Sequence, residues 1–107
     1  MTDFVPQVPS GSEIFISSLT ARLSEDGKRV RMGIDLSNVG SRPTLELAVL
    51  DGDRNVITHS AILGVMTPHL EFTLHLPSAP PCDLQAGASL LAKDGQELDR
   101  KIVPVKP

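Results

Sequence analysis

The sequence is poor in aromatic residues and contains no tryptophan or tyrosine. Its only aromatic side chains are Phe4, Phe15 and Phe72, so a core has to be built from leucine, valine, isoleucine and alanine. Tryptophan and tyrosine are common anchors of protein interfaces, and their rings combine an apolar body with a polar tip. Their absence weighs against a site that binds sugars by stacking them on aromatic rings.

Cysteine is also scarce, because Cys82 is the only one. No internal disulfide can form, which fits a reducing cytoplasm unless the chain is a fragment of a secreted protein. A nucleophilic thiol requires a nearby cation or helix N-terminus, whereas the neighbour of Cys82 is the acidic Asp83. We therefore interpret Cys82 as a bystander thiol in a proline-containing loop.

A net positive charge and long apolar runs are missing as well. The net charge is −3 and the ten lysines and arginines are scattered, so we expect no nucleic-acid partner. No stretch approaches the roughly 20 apolar residues of a membrane helix. The first residues do not combine a basic region with an apolar run, so we expect no secretory signal. These features predict a cytoplasmic chain without a membrane partner.

What the sequence does contain is alternation of apolar and polar residues. Residues 30–37 and 70–76 alternate strictly, which is the pattern of a strand with one buried and one wet face. Residues 44–50 alternate too, and residues 84–92 do so more weakly. No window free of proline and glycine sustains the spacing of an amphipathic helix with a cap before it.

Three Asp-Gly pairs, at 26–27, 51–52 and 94–95, lie between the alternating segments. Glycine supplies the positive φ that tight hairpin turns demand. We therefore predict three hairpins, which pair 13–23 with 29–38, 44–50 with 56–63, and 84–93 with 96–104.

With a further strand at 69–76, the pattern predicts seven strands. The predicted fold is an all-β, two-sheet antiparallel sandwich that forms a single domain over residues 13–107. Residues 1–12 contain two prolines and read as a flexible N-terminal arm.

The first strand is irregular. Ile14 and Ile16 have one parity, whereas the apolar residues at 19, 21 and 23 have the other. A regular strand cannot bury both sets on one side. Either a β-bulge lies at Ser17-Ser18, or the strand leaves one sheet there and joins the other.

Two segments carry a family resemblance. MGIDLSNVGSRPTLELAVL, with its corner at Asn38-Val39-Gly40, and the last hairpin LLAKDGQELDRKIV resemble parts of bacterial immunoglobulin-like and fibronectin type III-like domains. The resemblance covers about 13–104 and implies an immunoglobulin-like sandwich. The Cys…Trp…Cys core of true immunoglobulin domains is absent, and Leu84 lies near the place of their tyrosine corner. The resemblance therefore carries over no functional residue.

For function, the candidate surface consists of four apolar residues outside the inward-facing sets: Leu50, Leu63, Val65 and Leu91. Such a cluster would suit a protein partner or a homodimer, and edge strands without blocking charges would also invite pairing. The alternative is that these residues cover the sandwich edges, or that the parity shifts at a bulge. Our first hypothesis is a non-catalytic interaction module.

Two other hypotheses stay open. One is a module that binds a carbohydrate or another small ligand on a sheet face. The other is an enzyme or metal protein that uses His59, His69, His75 and Asp51. His69 and His75 are roughly 20 Å apart along one strand, and no known metal-ligand spacing is present. We therefore assign no catalytic residue, metal or cofactor.

Overall fold

Strands provide the regular structure of residues 14–77 and 83–107, the part of the chain that the computed structural model describes. The strands are β1 (Ile16–Leu23), β2 (Arg29–Leu36), β3 (Thr44–Leu50), β4 (Val56–Ile62), β5 (His69–His75), β6 (Gln85–Leu91) and β7 (Glu97–Pro104). The predicted seven-stranded all-β sandwich and its three hairpins are confirmed. Nowhere in these two stretches does a helix of membrane-spanning length and hydrophobicity occur. The predicted arm at 1–12 and Cys82 lie outside the described residues.

The strands form two antiparallel sheets, one in the order β1-β2-β5 and one in the order β4-β3-β6-β7. This arrangement is consistent with an immunoglobulin-like fold. In constant-type immunoglobulin domains the fourth strand joins the sheet of the first, second and fifth strands. Here β4 pairs with β3 instead, so it forms one edge of the larger sheet.

The core lies between the two sheets and consists of aliphatic side chains. Alternate residues of each central strand point inward, as the period of two predicts. The most deeply buried positions on the central strands are Val30, Met32, Ile34, Leu45, Leu47, Val49, Ala86, Ala88 and Leu90. Of the strands with clear alternation in the sequence, β2 buries its apolar set almost completely, whereas β5 leaves Leu70 and Phe72 half-buried.

The irregularity of the first strand is a β-bulge. Ile16 pairs with Leu36 and Ser18 pairs with Asp35, so Ser17 is an extra residue that has no partner in the register. The Ser17 hydroxyl donates to the Asp35 carbonyl at 3.0 Å. Because β1 remains paired with β2 on both sides of the bulge, the strand does not change sheets. The bulge allows Ile16 and Leu19 to share the buried face despite their opposite parities.

An aspartate side chain organises each of the three hairpin turns. In every case its Oδ1 accepts a hydrogen bond from the backbone N–H two residues later, the pattern of an Asx turn. The pairs are Asp26 with Lys28 at 3.0 Å, Asp51 with Asp53 at 2.9 Å, and Asp94 with Gln96 at 2.9 Å.

The middle turn differs from the sequence-based prediction. Gly27 and Gly95 adopt the positive φ expected of them, 71° and 90°. In the turn at 51–55, however, the residue with positive φ is Arg54, at 67°, rather than Gly52. A five-residue turn stabilised by Asp51 places the left-handed conformation two residues later than an Asp-Gly pair suggests.

The end of the chain covers the outer edge of β1. The Leu23 N–H donates to the Lys106 carbonyl at 2.7 Å, and the Lys106 N–H donates to the Ala21 carbonyl at 3.0 Å, which forms a parallel bridge. At the other end of β1, the Ile16 N–H donates to Asp99 Oδ2 at 2.8 Å. These bonds occupy backbone groups that an edge strand would otherwise expose.

Truncation of a central core side chain should lower the free energy of unfolding substantially. Met32 is 0% exposed and lies between Ala21 and Phe72 in the register of the smaller sheet. We expect Met32→Ala to cost about 2–5 kcal/mol, because it removes buried contacts and leaves a cavity. The neighbouring exposed variant Arg31→Ala should change stability by no more than about 0.5 kcal/mol. Urea unfolding followed by circular dichroism measures both, and equal effects would contradict the assigned faces.

Candidate interaction surface

The outer face of the four-stranded sheet is unusual because small residues occupy its centre. Ala48 of β3 lies between Gly87 of β6 and His59 of β4, and Glu46 lies between Ser89 and Ala61. On β3 and β6 these positions alternate with buried core residues, such as Leu47 between Glu46 and Ala48, so the same pattern that fills the core leaves them facing outward. Because alanine, glycine and serine have short side chains or none, the middle of the outer face is recessed relative to its borders.

The low centre forms an open depression of about 550 Å³ with a mainly apolar lining. Leu50 and Ile102 belong to the strands on either side of β6 and contribute to this lining. A Cβ atom placed on Gly87 would lie 3.9 Å from Leu50 Cδ1 and 3.7 Å from Ile102 Cγ1, which are ordinary van der Waals distances. Val56 extends the apolar lining toward the start of β4.

Polar side chains complete the lining of the depression. Glu46, His59, Ser89 and Arg100 all contribute to it. The Arg100 guanidinium donates to Glu97 Oε1 from Nε at 3.1 Å and from Nη2 at 2.8 Å, so its charge is largely matched within the chain. Glu46 forms no ion pair among those found in the described residues. An apolar area with polar groups beside it is the usual composition of a protein interface.

The structure separates the four residues that the sequence singled out. Leu50 lines the depression, whereas Leu91 is half-buried and pairs with Thr44 at the other end of β3. Leu63 follows β4 and is 79% exposed. Leu50, Leu63 and Leu91 therefore do not form one compact cluster.

Val65 does not belong to any exposed surface. It is 2% exposed and is part of the core, and its N–H donates to the Pro43 carbonyl at 2.8 Å. The prediction of an outward Val65 was wrong because residues 63–68 do not form a strand. Outside a strand, alternation along the sequence does not indicate which side chains face the core. Sequence reasoning also missed the small residues that form the depression, since alanine and glycine give no signal of which face they occupy.

A second polar cluster lies on the outer face of the three-stranded sheet. His69 Nδ1 is 2.6 Å from Asp35 Oδ1, and His69 Nε2 is 3.4 Å from Glu71 Oε2. Asp35 lies directly opposite His69 in the register of β2 and β5. Hydrogen bonds to Asp35 and then to Glu71 raise the pKa of His69 above its usual value of 6.5, with a smaller contribution from their negative charge.

The other residues of the metal or enzyme hypothesis lie apart from this cluster. His75 is at the opposite end of β5, and His59 is on the other sheet. The carboxylate of Asp51 is committed to its turn, where hydrogen bonds from the Asn55 backbone, the Asn55 side chain and the Asp53 backbone lower its pKa. Within residues 14–77 and 83–107 no group of three His, Cys, Asp or Glu side chains is arranged to hold a metal ion.

Comparison with known proteins identifies similar folds. The sequence matches no protein-family model and no curated protein. Among solved structures it is similar to part of a protein from Bacteroides fragilis described as a β-galactosidase, with a TM-score of 0.70 and 16% identity over 91% of this chain. It is also similar to part of a β-glucuronidase from Bifidobacterium dentium, with a TM-score of 0.62 and 15% identity over 87% of this chain.

A third similar structure is an endonuclease/exonuclease/phosphatase protein from Beutenbergia cavernae, with a TM-score of 0.56 and 17% identity over 79% of this chain. The matched part is 18% of each of the first two proteins and 22% of the third. This chain therefore spans less than a quarter of the length of any of the three. At these identities the likeness shows the fold alone.

The raised pKa of His69 should depend on Asp35. In a ¹H–¹⁵N or ¹H–¹³C titration of the imidazole, we expect His69 to titrate above its usual value, and Asp35→Asn to lower its pKa by more than Glu71→Gln does. The protonated form is favoured in the folded state, so its contribution to stability is present below pH about 6.5 and is lost as the pH rises through the raised pKa. Identical titration in the wild type and Asp35→Asn would contradict the pairing.

Proposed function

We propose that this chain is a non-catalytic interaction module that binds a protein partner through the outer face of its four-stranded sheet. The observation that carries this proposal is the depression over Ala48 and Gly87, bordered by Leu50, Val56 and Ile102. The small central residues allow a partner side chain to approach the sheet backbone, and the aliphatic border supplies the apolar contact area.

The composition of this face indicates the chemistry of the partner. The partner would place a convex group of aliphatic or aromatic side chains in the depression. Because Arg100 is already paired with Glu97 while Glu46 is exposed, the polar part of this face favours basic residues on the partner. The chain's net charge of −3 also favours a positively charged partner.

The comparisons support a role beside a larger folded protein. Five of the proteins with a similar fold devote only 15–22% of their chains to the matching part. Several are described as glycosidases, among them a glycosyl hydrolase family 2 member from Bacteroides cellulosilyticus. We therefore propose a glycosidase domain as the first partner to test.

A carbohydrate-binding role for the same face is the second candidate. Glu46, His59 and Ser89 could donate or accept hydrogen bonds to sugar hydroxyl groups. The lining of the depression contains no tryptophan, tyrosine or phenylalanine on which a sugar ring could stack. The lack of such a ring favours a protein partner over a sugar.

Site-specific photo-cross-linking tests the proposal. A photoreactive amino acid at Ser89 of β6, which lines the depression away from the β4 edge, should give protein adducts in cells of the source organism. The same group at Thr73, an exposed position of β5 on the other sheet, should give none or far fewer. The protein identified by mass spectrometry is then titrated as a purified sample with the wild type and with Gly87→Glu, which we expect to bind at least about tenfold more weakly.

The control for this titration is Thr73→Glu, which adds the same charge to the opposite sheet and should bind like the wild type. Equal yields of adduct at Ser89 and Thr73, or unchanged binding by Gly87→Glu, would overturn the proposal. Titration of the ¹⁵N-labelled chain with galactose and glucuronate tests the second candidate. Shifts of the Gly87 and Ser89 amides would favour the sugar over the protein partner.

A further inference from the structure

The four edge strands of the sandwich differ in how well they are blocked against pairing. The edge of β1 is covered by the Lys106 bridge and by Asp99. The sequence of β7, ELDRKIVP, carries four charged residues and ends in proline. The β5 edge includes Glu71. Charged side chains, proline and covering segments are the usual means by which natural sheets prevent edge-to-edge association.

The edge of β4 has none of these protections. Its sequence, VITHSAI, contains no lysine, arginine, aspartate, glutamate or proline. It is seven residues long, and among residues 14–77 and 83–107 its only neighbour in the sheet is β3. Its other side therefore presents backbone N–H and C=O groups that a further strand could bind.

Exposed apolar side chains are concentrated along the same edge. Val56 at the start of β4 is 56% exposed, and Leu63 and Met66 just after its end are 79% and 66% exposed. The loop that carries Leu63 and Met66 is anchored by Val65, which is buried in the core and bonded to Pro43. A fixed loop thus holds the two exposed side chains in place. Solvent exposure of their apolar surface is unfavourable, and pairing would bury that surface.

We propose that two copies of this chain associate through β4, which pairs antiparallel with the β4 of the second copy and joins the two four-stranded sheets into one continuous sheet. About a two-fold axis, the start of one β4 meets the end of the other, so Val56 of each copy approaches the Leu63 and Met66 end of its partner. The absence of formal charge on β4 means that identical strands can meet without like charges facing each other.

This interaction differs from the proposed function, although Val56 of β4 takes part in both. Leu63 and Met66 do not line the depression, and Gly87 does not lie on β4. Antiparallel pairing of the edges would leave the outer faces open and place two depressions on one extended sheet. Variants of the edge and variants of the face therefore test the two proposals independently.

Sedimentation equilibrium of the full chain across the micromolar range tests the self-association. We expect the wild type to approach twice the 11.5 kDa mass of the chain at high concentration. The double variant Leu63→Lys/Met66→Lys should weaken association by at least about tenfold, because it places two positive charges beside the same charges of the partner. Both positions are exposed, so the variant should unfold at the same temperature as the wild type at low concentration.

The matched control is Thr73→Lys/His75→Lys, which adds two lysines to exposed positions of the β5 edge and should leave association unchanged. Amide hydrogen exchange of the wild type locates the contact without any substitution. Exchange of β4 amides should slow as concentration rises, while exchange in β5 and β7 stays constant. A monomer throughout the range, or slowed exchange at another edge, would overturn the proposal.

Discussion

Burial of alternate aliphatic side chains between two sheets is the interaction on which the rest of this structure depends. In the part of the chain that the structure describes, no aromatic residue is fully buried, and alanines at 21, 86 and 88 occupy inward positions. Each such contact contributes little by itself, so stability requires that the register hold along whole strands. The bulge at Ser17 is a consequence of this requirement, because it restores the buried face of β1.

The sequence predicted those features that local patterns determine. The strict alternation of residues 30–37 and 70–76 located β2 and β5, and the Asp-Gly pairs located the hairpins. The change of parity after Ile16 predicted an irregularity, and the register distinguishes a bulge from a strand that changes sheets. In these cases the physical cause acts between residues close in sequence or between adjacent strands.

Features that depend on distant contacts could not be predicted in this way. Val65 is buried because its loop bonds to Pro43, 22 positions earlier in the chain, and no periodic pattern includes it. The depression arises from outward residues on β3, β4, β6 and β7 that are small or weakly patterned. The Asp99 bond to Ile16 likewise joins the two ends of the domain and has no local signal.

The coverage of β1 has a consequence for how assemblies of this chain could grow. The Lys106 bridge and Asp99 seal the sandwich on one side, and the charges of β7 protect the neighbouring edge of the larger sheet. An added strand can extend the larger sheet only past β4. With β4 as the one unprotected edge of the larger sheet among the described strands, the proposed association would end at a pair and would not propagate into a fibril.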